Sequence, residues 1–467
     1  MLTMLVGFME FRIENDVLGE VKVPKGAYYG SETRRAFENF PISGMHLQKA
    51  IIRNYAVLKK AAAAANVSAG KLDAKRFSAI SRACDEVAAG KFDDQFVVDA
   101  FQAGAGTSTN MNVNEVVANR AIELLHGKRG DYKLVHPNDH VNMSQSTNDT
   151  FHCVEHMAAY EGIIKNLIPA LEELEAALDS KSREFSKIIK VGRTHLQDAV
   201  PMTLGQEFSG YSAAISTASH HLKESSESLL EIPLGGTALG TGINTPKNYS
   251  KYAIEELDKA TGFDFALSHN LFGSMQNQTD ELRTAGALRE VAATLGKIAN
   301  DMRLLSSGPR TGIAELVLPA VQPGSSIMPG KINPSMAEML NQVCFHAMGN
   351  CHAVETAAAS GQLELNVFMP VIAYNLVFAI DILSNGTRAF TKRCVSGIKA
   401  SAAVISRYVT MNISTATALS PYIGYSKAAE IARKAYLEEK SVMQVCLEMK
   451  VLPKEKLEQI LDPSKQI

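Results

Sequence analysis

Four short stretches rich in hydroxyl, amide and glycine residues interrupt a chain that is otherwise rich in alanine and leucine. They span residues 104–112, 142–149, 192–198 and 323–334. Together they supply a surplus of neutral hydrogen-bond donors, with one lysine, Lys331, and one histidine, His195. Each stretch alone is typical of a turn or a helix cap. Taken together, such donors favour an anion, and a carboxylate best, because its oxygens accept several hydrogen bonds at once.

The sequence lacks the common signatures of cofactor and metal sites. It contains no Walker loop, no G-x-G-x-x-G after a strand and no G-x-S-x-G elbow. His152 and His156 stand four residues apart, but the residues between them do not form the H-E-x-x-H pattern of zinc enzymes. We therefore expect chemistry carried by side chains, with no cofactor required and no metal ligands.

Composition indicates a soluble, cytoplasmic protein. The 467 residues carry a net charge of −2 with both signs interspersed, which argues against nucleic-acid and membrane partners. No uninterrupted apolar run approaches the roughly 18 residues of a membrane span, and residues 1–10 lack the positive leader of a signal peptide. The six cysteines are scattered without a close pair, as expected of reduced thiols.

Apolar residues recur at steps of three and four in the middle of the chain, which predicts long helices packed at shallow angles. Two such series are Ile164, Leu167, Leu171, Leu174 and Leu178, and Leu288, Val291, Leu295, Ile298, Met302 and Leu305. Pro169 predicts a kink or a helix start within the first series. Further amphipathic stretches lie at about 200–230, 336–358 and 371–393, whereas strand signals are short, as at 187–190.

These patterns predict a mainly α-helical protein with three consecutive domains. Residues 1–150 form a mixed, mostly helical domain, and residues 151–393 form a central bundle of long helices that carries the 323–334 stretch. Residues 394–467 form a small C-terminal helical domain. Alanine-rich faces such as 357–359 permit close approach of helices from other copies, so we expect a homo-oligomer.

The four polar stretches, in this order, resemble the aspartase/fumarase superfamily. The segment 324–334, GSSIMPGKINP, is similar to its signature, and three more segments support the resemblance: GAGTSTNMNVNE at 104–115, SQSTND at 144–149 and GRTHLQDAVPMTLGQE at 192–207. The resemblance covers nearly the whole chain. It implies a three-domain helical protomer, a homotetramer with a shared twenty-helix core, and active sites that combine segments of different subunits around a small dicarboxylate.

The chemistry implied by the resemblance is reversible anti elimination across the Cα–Cβ bond of a succinyl-type substrate, which gives fumarate. The Cβ proton is weakly acidic, so the carbanion must delocalise into its carboxylate as an aci-carboxylate. Donors aimed at those oxygens bind more strongly as the charge develops, and they therefore stabilise the transition state more than the substrate.

The resemblance also implies roles for individual residues. The substrate-binding residues would be Thr107, Ser108, Ser146, Thr147, Asn148, Thr194, Lys331 and Asn333. Of these, Thr107, Ser146 and Thr147 would hold the β-carboxylate, and Lys331 and Asn333 the other carboxylate, with Thr194 nearby. The catalytic residues would be Ser325 as general base, His195 beside the leaving group with Asn148, and Glu338 as the partner of His195. The 323–334 stretch would act as a lid over the substrate.

Two activities share this scaffold. The segments GAGTSTNMN, QSTND and LLSSGPR resemble those of aspartases, so the sequence favours aspartate ammonia-lyase over the alternative, class II fumarate hydratase. His152 and Cys153 depart from the usual pattern after the second stretch, and Met369 replaces the charged residue common in both groups. These departures leave open a lyase acting on a modified aspartate. A non-catalytic binding protein with the same fold is disfavoured by the intact set of site residues.

Overall fold

The computed structural model describes residues 10–467 and divides them into two compact units, each built from separated parts of the chain. Unit 1 contains the described residues up to Ile168 together with 221–290 and 346–382, and unit 2 contains 169–220, 291–345 and 383–467. The three consecutive domains expected from the sequence follow other boundaries and stay a prediction. Residues 1–9, to which most of the signal-peptide expectation refers, lie outside the described residues.

Helices form most of both units, so the prediction of a mainly α-helical fold is confirmed. In chain order they are α1 (Ser31–Asn39), α2 (Lys49–Ser68), α3 (Ala74–Ala88), α4 (Thr107–Leu124), α5 (Thr147–Gly162), α6 (Ile168–Glu184), α7 (Leu204–Ser226), α8 (Tyr249–Thr261), α9 (Leu271–Gln276), α10 (Thr279–Leu305), α11 (Ser335–Ala358), α12 (Met369–Arg393), α13 (Ala402–Met411), α14 (Ser420–Ile423), α15 (Tyr425–Leu437), α16 (Val442–Glu448) and α17 (Lys454–Ile460).

Strands are short and pair only in twos within the described residues. They are β1 (Phe11–Asp16), β2 (Gly19–Pro24), β3 (Ile189–Thr194), β4 (Gln197–Thr203), β5 (Glu231–Ile232), β6 (Ala266–Leu267), β7 (Leu316–Val317) and β8 (Lys399–Ala400). β5 and β6 are parallel, and the other three pairs are antiparallel.

The helical periodicity located the long helices well. The amphipathic stretches near 200–230, 336–358 and 371–393 correspond to α7, α11 and α12. A π-helical turn, Ile163–Leu167, joins α5 to α6 immediately before Pro169. The π-helical turn and the start of α6 at Ile168 lie where proline, which has no backbone N–H, interrupts the regular helical hydrogen bonds.

The core of unit 1 forms around α2, which packs against α3, α5 and α8. Ile51, Tyr55 and Leu58 on α2 are fully buried. Cys153 and Met369, which depart from the family pattern, belong to the same core. A charged side chain at position 369 would be buried among apolar residues, which is costly unless it is paired.

The segment Met369–Gly397, which begins with α12, is long and apolar enough to cross a membrane by length and composition alone. The sequence expectation counted only uninterrupted apolar residues and missed this average. Of its most apolar window, 61% is buried inside the protein. Such burial is typical of a core helix, which meets the same two criteria.

Candidate active site

Unit 1 carries the first two polar stretches at the beginnings of two neighbouring helices. α4 begins at Thr107 and α5 at Thr147. Asn110 Nδ2 donates to Thr147 Oγ1 at 2.9 Å, which joins the first turns of the two helices. The free N–H groups of a helix N-terminus carry partial positive charge and favour an anion. This part of unit 1 is therefore suited to hold a carboxylate.

The hydrogen bonds around α5 leave several groups available to a ligand. Because Thr147 Oγ1 accepts from Asn110, its own hydroxyl hydrogen is free to donate. Ser146 Oγ accepts the Asn148 N–H at 3.2 Å as the helix cap, which leaves its hydroxyl hydrogen available in the same way. Asn148 Nδ2 donates to the carbonyl of Ala238 at 2.7 Å, so its Oδ1 remains an acceptor. On α4, the Thr107 side chain is exposed while Ser108 is buried.

A fully buried lysine donates hydrogen bonds to amide side chains next to these groups. Lys59 Nζ on α2 donates to Asn110 Oδ1 at 2.7 Å, Asn142 Oδ1 at 2.8 Å and Gln145 Oε1 at 2.9 Å. Burial lowers the pKa of Lys59 to about 7, and the Asp149 carboxylate opposes that shift. With all three hydrogens bonded to amide oxygens, the ammonium group fixes how the amides are turned.

Asp149 fastens the start of α5 to a loop of the same unit. Its carboxylate accepts the N–H groups of Ser146 at 2.9 Å, Gly235 at 2.9 Å and Thr237 at 3.1 Å. Burial raises the pKa of Asp149 to about 6, against the effect of these N–H donors. A pocket of about 500 Å³ opens beside this loop, and its lining includes Ser146, Thr237 and Ala238. The pocket gives a small ligand access to Ser146, the N-cap residue of α5.

Unit 2 carries the third polar stretch at the tip of the β3–β4 hairpin. Thr194 pairs with Gln197, so His195 and Leu196 are the two turn residues. Their φ angles are 56° and 60°, in the left-handed region that bulky residues rarely adopt. Two-residue hairpin turns need such angles and normally use Asn-Gly or Asp-Gly. Both side chains are exposed, so the strained turn presents the imidazole outward from the hairpin.

A buried ion network anchors the base of this hairpin. Glu315 is fully buried and contacts Lys190 Nζ at 2.8 Å and Arg193 Nη1 at 2.6 Å. Lys190 Nζ also contacts Glu207 at 2.7 Å. Glu315 directly precedes β7, and the fourth polar stretch follows that strand in the chain. The ion network therefore connects the third polar stretch to the residue before β7.

The fourth stretch folds back on itself between β7 and α11. Gly324 N–H donates to the carbonyl of Lys331 at 2.8 Å, and Asn333 Nδ2 donates to the carbonyl of Gly324 at 2.7 Å. A Cβ at position 324 would lie 2.5 Å from the Lys331 carbonyl oxygen, so only glycine fits this crossing. The two ends of the loop are therefore held together, with Lys331 exposed at one side.

Ser325 lies inside this closed loop with its oxygen in a small nest of amides. Ser325 Oγ accepts the N–H of Met328 at 2.8 Å and the N–H of Ile327 at 3.2 Å. Both bonds grow stronger if the hydroxyl loses its proton, since an alkoxide is the better acceptor. The geometry stabilises negative charge on the Ser325 oxygen.

The predicted site residues are divided between the two units. Thr107, Ser108, Ser146, Thr147 and Asn148 belong to unit 1, and Thr194, His195, Ser325, Lys331, Asn333 and Glu338 to unit 2. Among the hydrogen bonds and ion pairs described for residues 10–467, none joins His195 to Glu338. That pairing stays a prediction.

Family models match most of the chain. Residues 19–349 match a model described as lyase, and residues 416–466 match one described as the fumarase C C-terminus. The chain belongs to the aspartase/fumarase superfamily. The resemblance of the four polar stretches to this superfamily is thereby confirmed.

Aspartate ammonia-lyases and class II fumarate hydratases are both similar to this chain. The aspartate ammonia-lyase of Bacillus subtilis is 45% identical over 98% of this chain and 97% of its own length. The class II fumarate hydratase of Campylobacter jejuni is 46% identical over 98% of this chain and 99% of its own length. Identity to relatives of each kind is therefore nearly equal.

Solved structures of superfamily members have the same fold. A fumarate lyase:delta crystallin from Brucella melitensis, bound to cobalt, superposes with a TM-score of 0.93 at 47% identity, over 97% of this chain and 99% of its own. A class II fumarase from Schistosoma mansoni gives a TM-score of 0.95 at 37% identity, over 97% of this chain and 98% of its own.

Sequence reasoning missed three buried charged residues that support the site. Lys59, Asp149 and Glu315 are almost completely buried. Lys59 could have been suspected, because a lysine interrupts the apolar face of an alanine-rich helix without an acidic neighbour one turn away. Glu315 gave no such signal, since its partners Lys190 and Arg193 stand more than a hundred residues earlier.

Proposed function

We propose that this lyase is an aspartate ammonia-lyase, which reversibly eliminates ammonia from L-aspartate to give fumarate. The nest of amides around Ser325 Oγ is the observation that carries the proposal. An ordinary serine hydroxyl is a poor base, and two N–H donors aimed at its oxygen stabilise the alkoxide that can accept a proton from carbon.

In the proposed reaction, Ser325 removes the proton from Cβ and the electron pair delocalises into the β-carboxylate. Thr147 and Ser146 donate to that carboxylate, and the helix N-terminus of α5 adds partial positive charge as the aci-carboxylate forms. The Cα–N bond then breaks, the Cα–Cβ double bond forms and ammonia leaves. Lys331 and Asn333 hold the other carboxylate.

Asn148 supports ammonia as the leaving group. Its Nδ2 donates to the Ala238 carbonyl, so Oδ1 faces away as an acceptor. A substrate ammonium group has three donors and no acceptor, which matches an amide oxygen. The aspartase-like segments GAGTSTNMN and QSTND favour the same assignment.

The two groups of site residues lie in different compact units, and we propose that complete sites form between copies in a homotetramer without a required cofactor. The alternative activity is class II fumarate hydratase, in which water replaces ammonia. The near-equal similarity to relatives of both kinds keeps this alternative in the test.

The deciding experiment compares two substrates with one product signal. Incubation with L-aspartate should produce the ultraviolet absorbance of fumarate together with one equivalent of ammonia, whereas L-malate should give no fumarate. Turnover of L-malate with no reaction of L-aspartate would establish the fumarase instead. A Ser325→Ala preparation, purified identically, controls for contaminating enzymes with either substrate.

A further inference from the structure

A cluster of titratable side chains in unit 1 takes no part in the proposed reaction. His152 and His156 lie one turn apart on α5, and Glu281 lies in the first turn of α10. His156 Nε2 is 2.7 Å and His152 Nε2 is 3.1 Å from Glu281 Oε1. All three side chains are at least nine-tenths buried.

Hydrogen bonds alone leave this cluster incompletely satisfied. Both imidazoles point at the same oxygen of Glu281, while Glu281 Oε2 has no partner among the described residues. Glu155, fully buried on the same helix, has no partner for either carboxylate oxygen. Buried polar atoms without partners are costly, and several in one cluster indicate a missing group.

We propose that His152, His156 and Glu281 bind a divalent metal ion of the zinc type. One ligand atom from each residue lies within 4.8 Å of the others. Bonds of about 2.0–2.1 Å at tetrahedral angles place neighbouring ligand atoms about 3.3 Å apart. The 3.1 Å separation of His152 Nε2 from Glu281 Oε1 is near that value, and the 2.7 Å separation of His156 Nε2 would widen as the ion replaces the hydrogen bond. Two imidazoles and one carboxylate favour zinc and neighbouring transition metals over magnesium or calcium.

The surroundings orient the ligands as metal sites usually require. His156 Nδ1 donates to the backbone carbonyl of Glu231 at 2.9 Å, which leaves Nε2 for the metal. Gln278 lies 3.4 Å from His152 Nδ1, and its Oε1 has no partner. Turning that amide over would let Oε1 accept from Nδ1–H and free His152 Nε2 in the same way.

A carboxylate ligand also offsets part of the charge of a divalent cation, and Glu281 would supply that negative charge in this fully buried site.

This inference departs from the sequence-based expectation of no metal ligands, which considered only the i,i+4 histidine pair. The third ligand, Glu281, stands 125 residues after His156, so the spacing of residues along the sequence could not reveal it. The ion would fasten α5 to the first turn of α10. It makes no contact with the proposed reacting groups, so its role is structural.

The test uses the full chain without a histidine tag, stripped by a chelator and then incubated with Zn²⁺ or Co²⁺. Mass spectrometry of the desalted protein should find one metal ion per chain, and Co²⁺ should give the visible absorption of a four- or five-coordinate site. Zn²⁺ should also raise the unfolding temperature. A native chain that retains no metal and gives no Co²⁺ spectrum overturns the proposal.

Variants locate the site. His152→Gln and Glu281→Gln should bind at least about tenfold more weakly and lose the Zn²⁺-dependent rise in unfolding temperature. His352→Gln is the matched control, because His352 is an exposed histidine 3.3 Å from a carboxylate, that of Glu355. Metal binding by His152→Gln equal to that of the native chain would place the ion elsewhere and overturn the assignment. These measurements do not depend on which substrate the enzyme uses.

Discussion

Lys59 and Thr147 are linked through one amide side chain. Asn110 accepts from Lys59 Nζ at 2.7 Å and donates to Thr147 Oγ1 at 2.9 Å. Because the ammonium group can only donate, it fixes the oxygen of the amide on its own side and turns Nδ2 toward Thr147. The threonine hydroxyl must then direct its hydrogen elsewhere, toward the space where the β-carboxylate would bind.

Replacing Lys59 by methionine should weaken catalysis although the residue does not reach the substrate. The amide of Asn110 would lose the charged donor that orients it, and the site would lose positive potential. A charge-assisted hydrogen bond contributes about 1.5–3 kcal/mol, so kcat/KM should fall about 10- to 100-fold. Lys60→Met is the control, since Lys60 is half-buried and pairs with the exposed Asp85. Equal kinetics in the two variants would contradict the link.

The same lysine predicts a pH dependence of substrate binding. Burial lowers its pKa to about 7, so the ammonium charge is present below that pH and is lost as the pH rises through it. KM for a dicarboxylate should therefore increase above about pH 7 in the native enzyme. The folded pKa lies below the ordinary lysine pKa, so at pH values between these two pKa values the unfolded chain holds the proton that the folded chain has released. The free energy of unfolding should therefore rise with pH over that range. Lys59→Met should lack both trends, as KM and unfolding measurements at several pH values would reveal.

The sequence predicted what is local or marked by residue type. Helical periodicity located α7, α11 and α12, and the loop around Ser325 was recognisable from its glycines and hydroxyls. The supporting charges could not be read in the same way. Glu315 meets Arg193 only after the chain has folded, and the amides that surround Ser325 Oγ are backbone groups that every sequence possesses. The division into two units also depends on contacts between distant segments.

Ser325→Ala should abolish turnover while leaving the fold and the oligomer unchanged. The variant removes the oxygen that is proposed to accept the Cβ proton, yet the loop remains closed by the bonds of Gly324 and Asn333. Ser326→Ala is the matched control, because the neighbouring side chain is exposed and has the same chemistry. Fumarate formation and size-exclusion chromatography measure the two properties. Full activity of the Ser325 variant would exclude the residue as the base.

Lys331→Ala should chiefly weaken substrate binding. Its exposed ammonium group is proposed to pair with a carboxylate that becomes desolvated in the closed site, where such a bond contributes about 1.5–3 kcal/mol. KM should rise about 10- to 100-fold with a smaller change in kcat. Lys427→Ala, at an exposed pair with Glu430, should behave like the native enzyme. A fall in kcat at unchanged KM would instead assign Lys331 to the transition state alone.

Two inactive variants should restore activity when they are made in the same cell. Thr147 lies in unit 1 and Ser325 in unit 2. If each site combines residues from different copies, a mixed oligomer of Thr147→Val and Ser325→Ala chains contains sites in which both groups are native. Random assembly gives such sites about a quarter of the total, so activity should reach roughly that fraction of the native level.

The matched control pairs Thr147→Val with Ser146→Ala, two changes in the same group. In that mixture no site receives a native unit 1 group, so coexpression should give no more activity than the separate variants. Absence of rescue in the first mixture, with mixed oligomers verified by mass spectrometry, would show that one chain supplies the whole site. Rescue confined to the first mixture can arise only when the donors around Thr147 and the proposed base Ser325 are contributed by different chains.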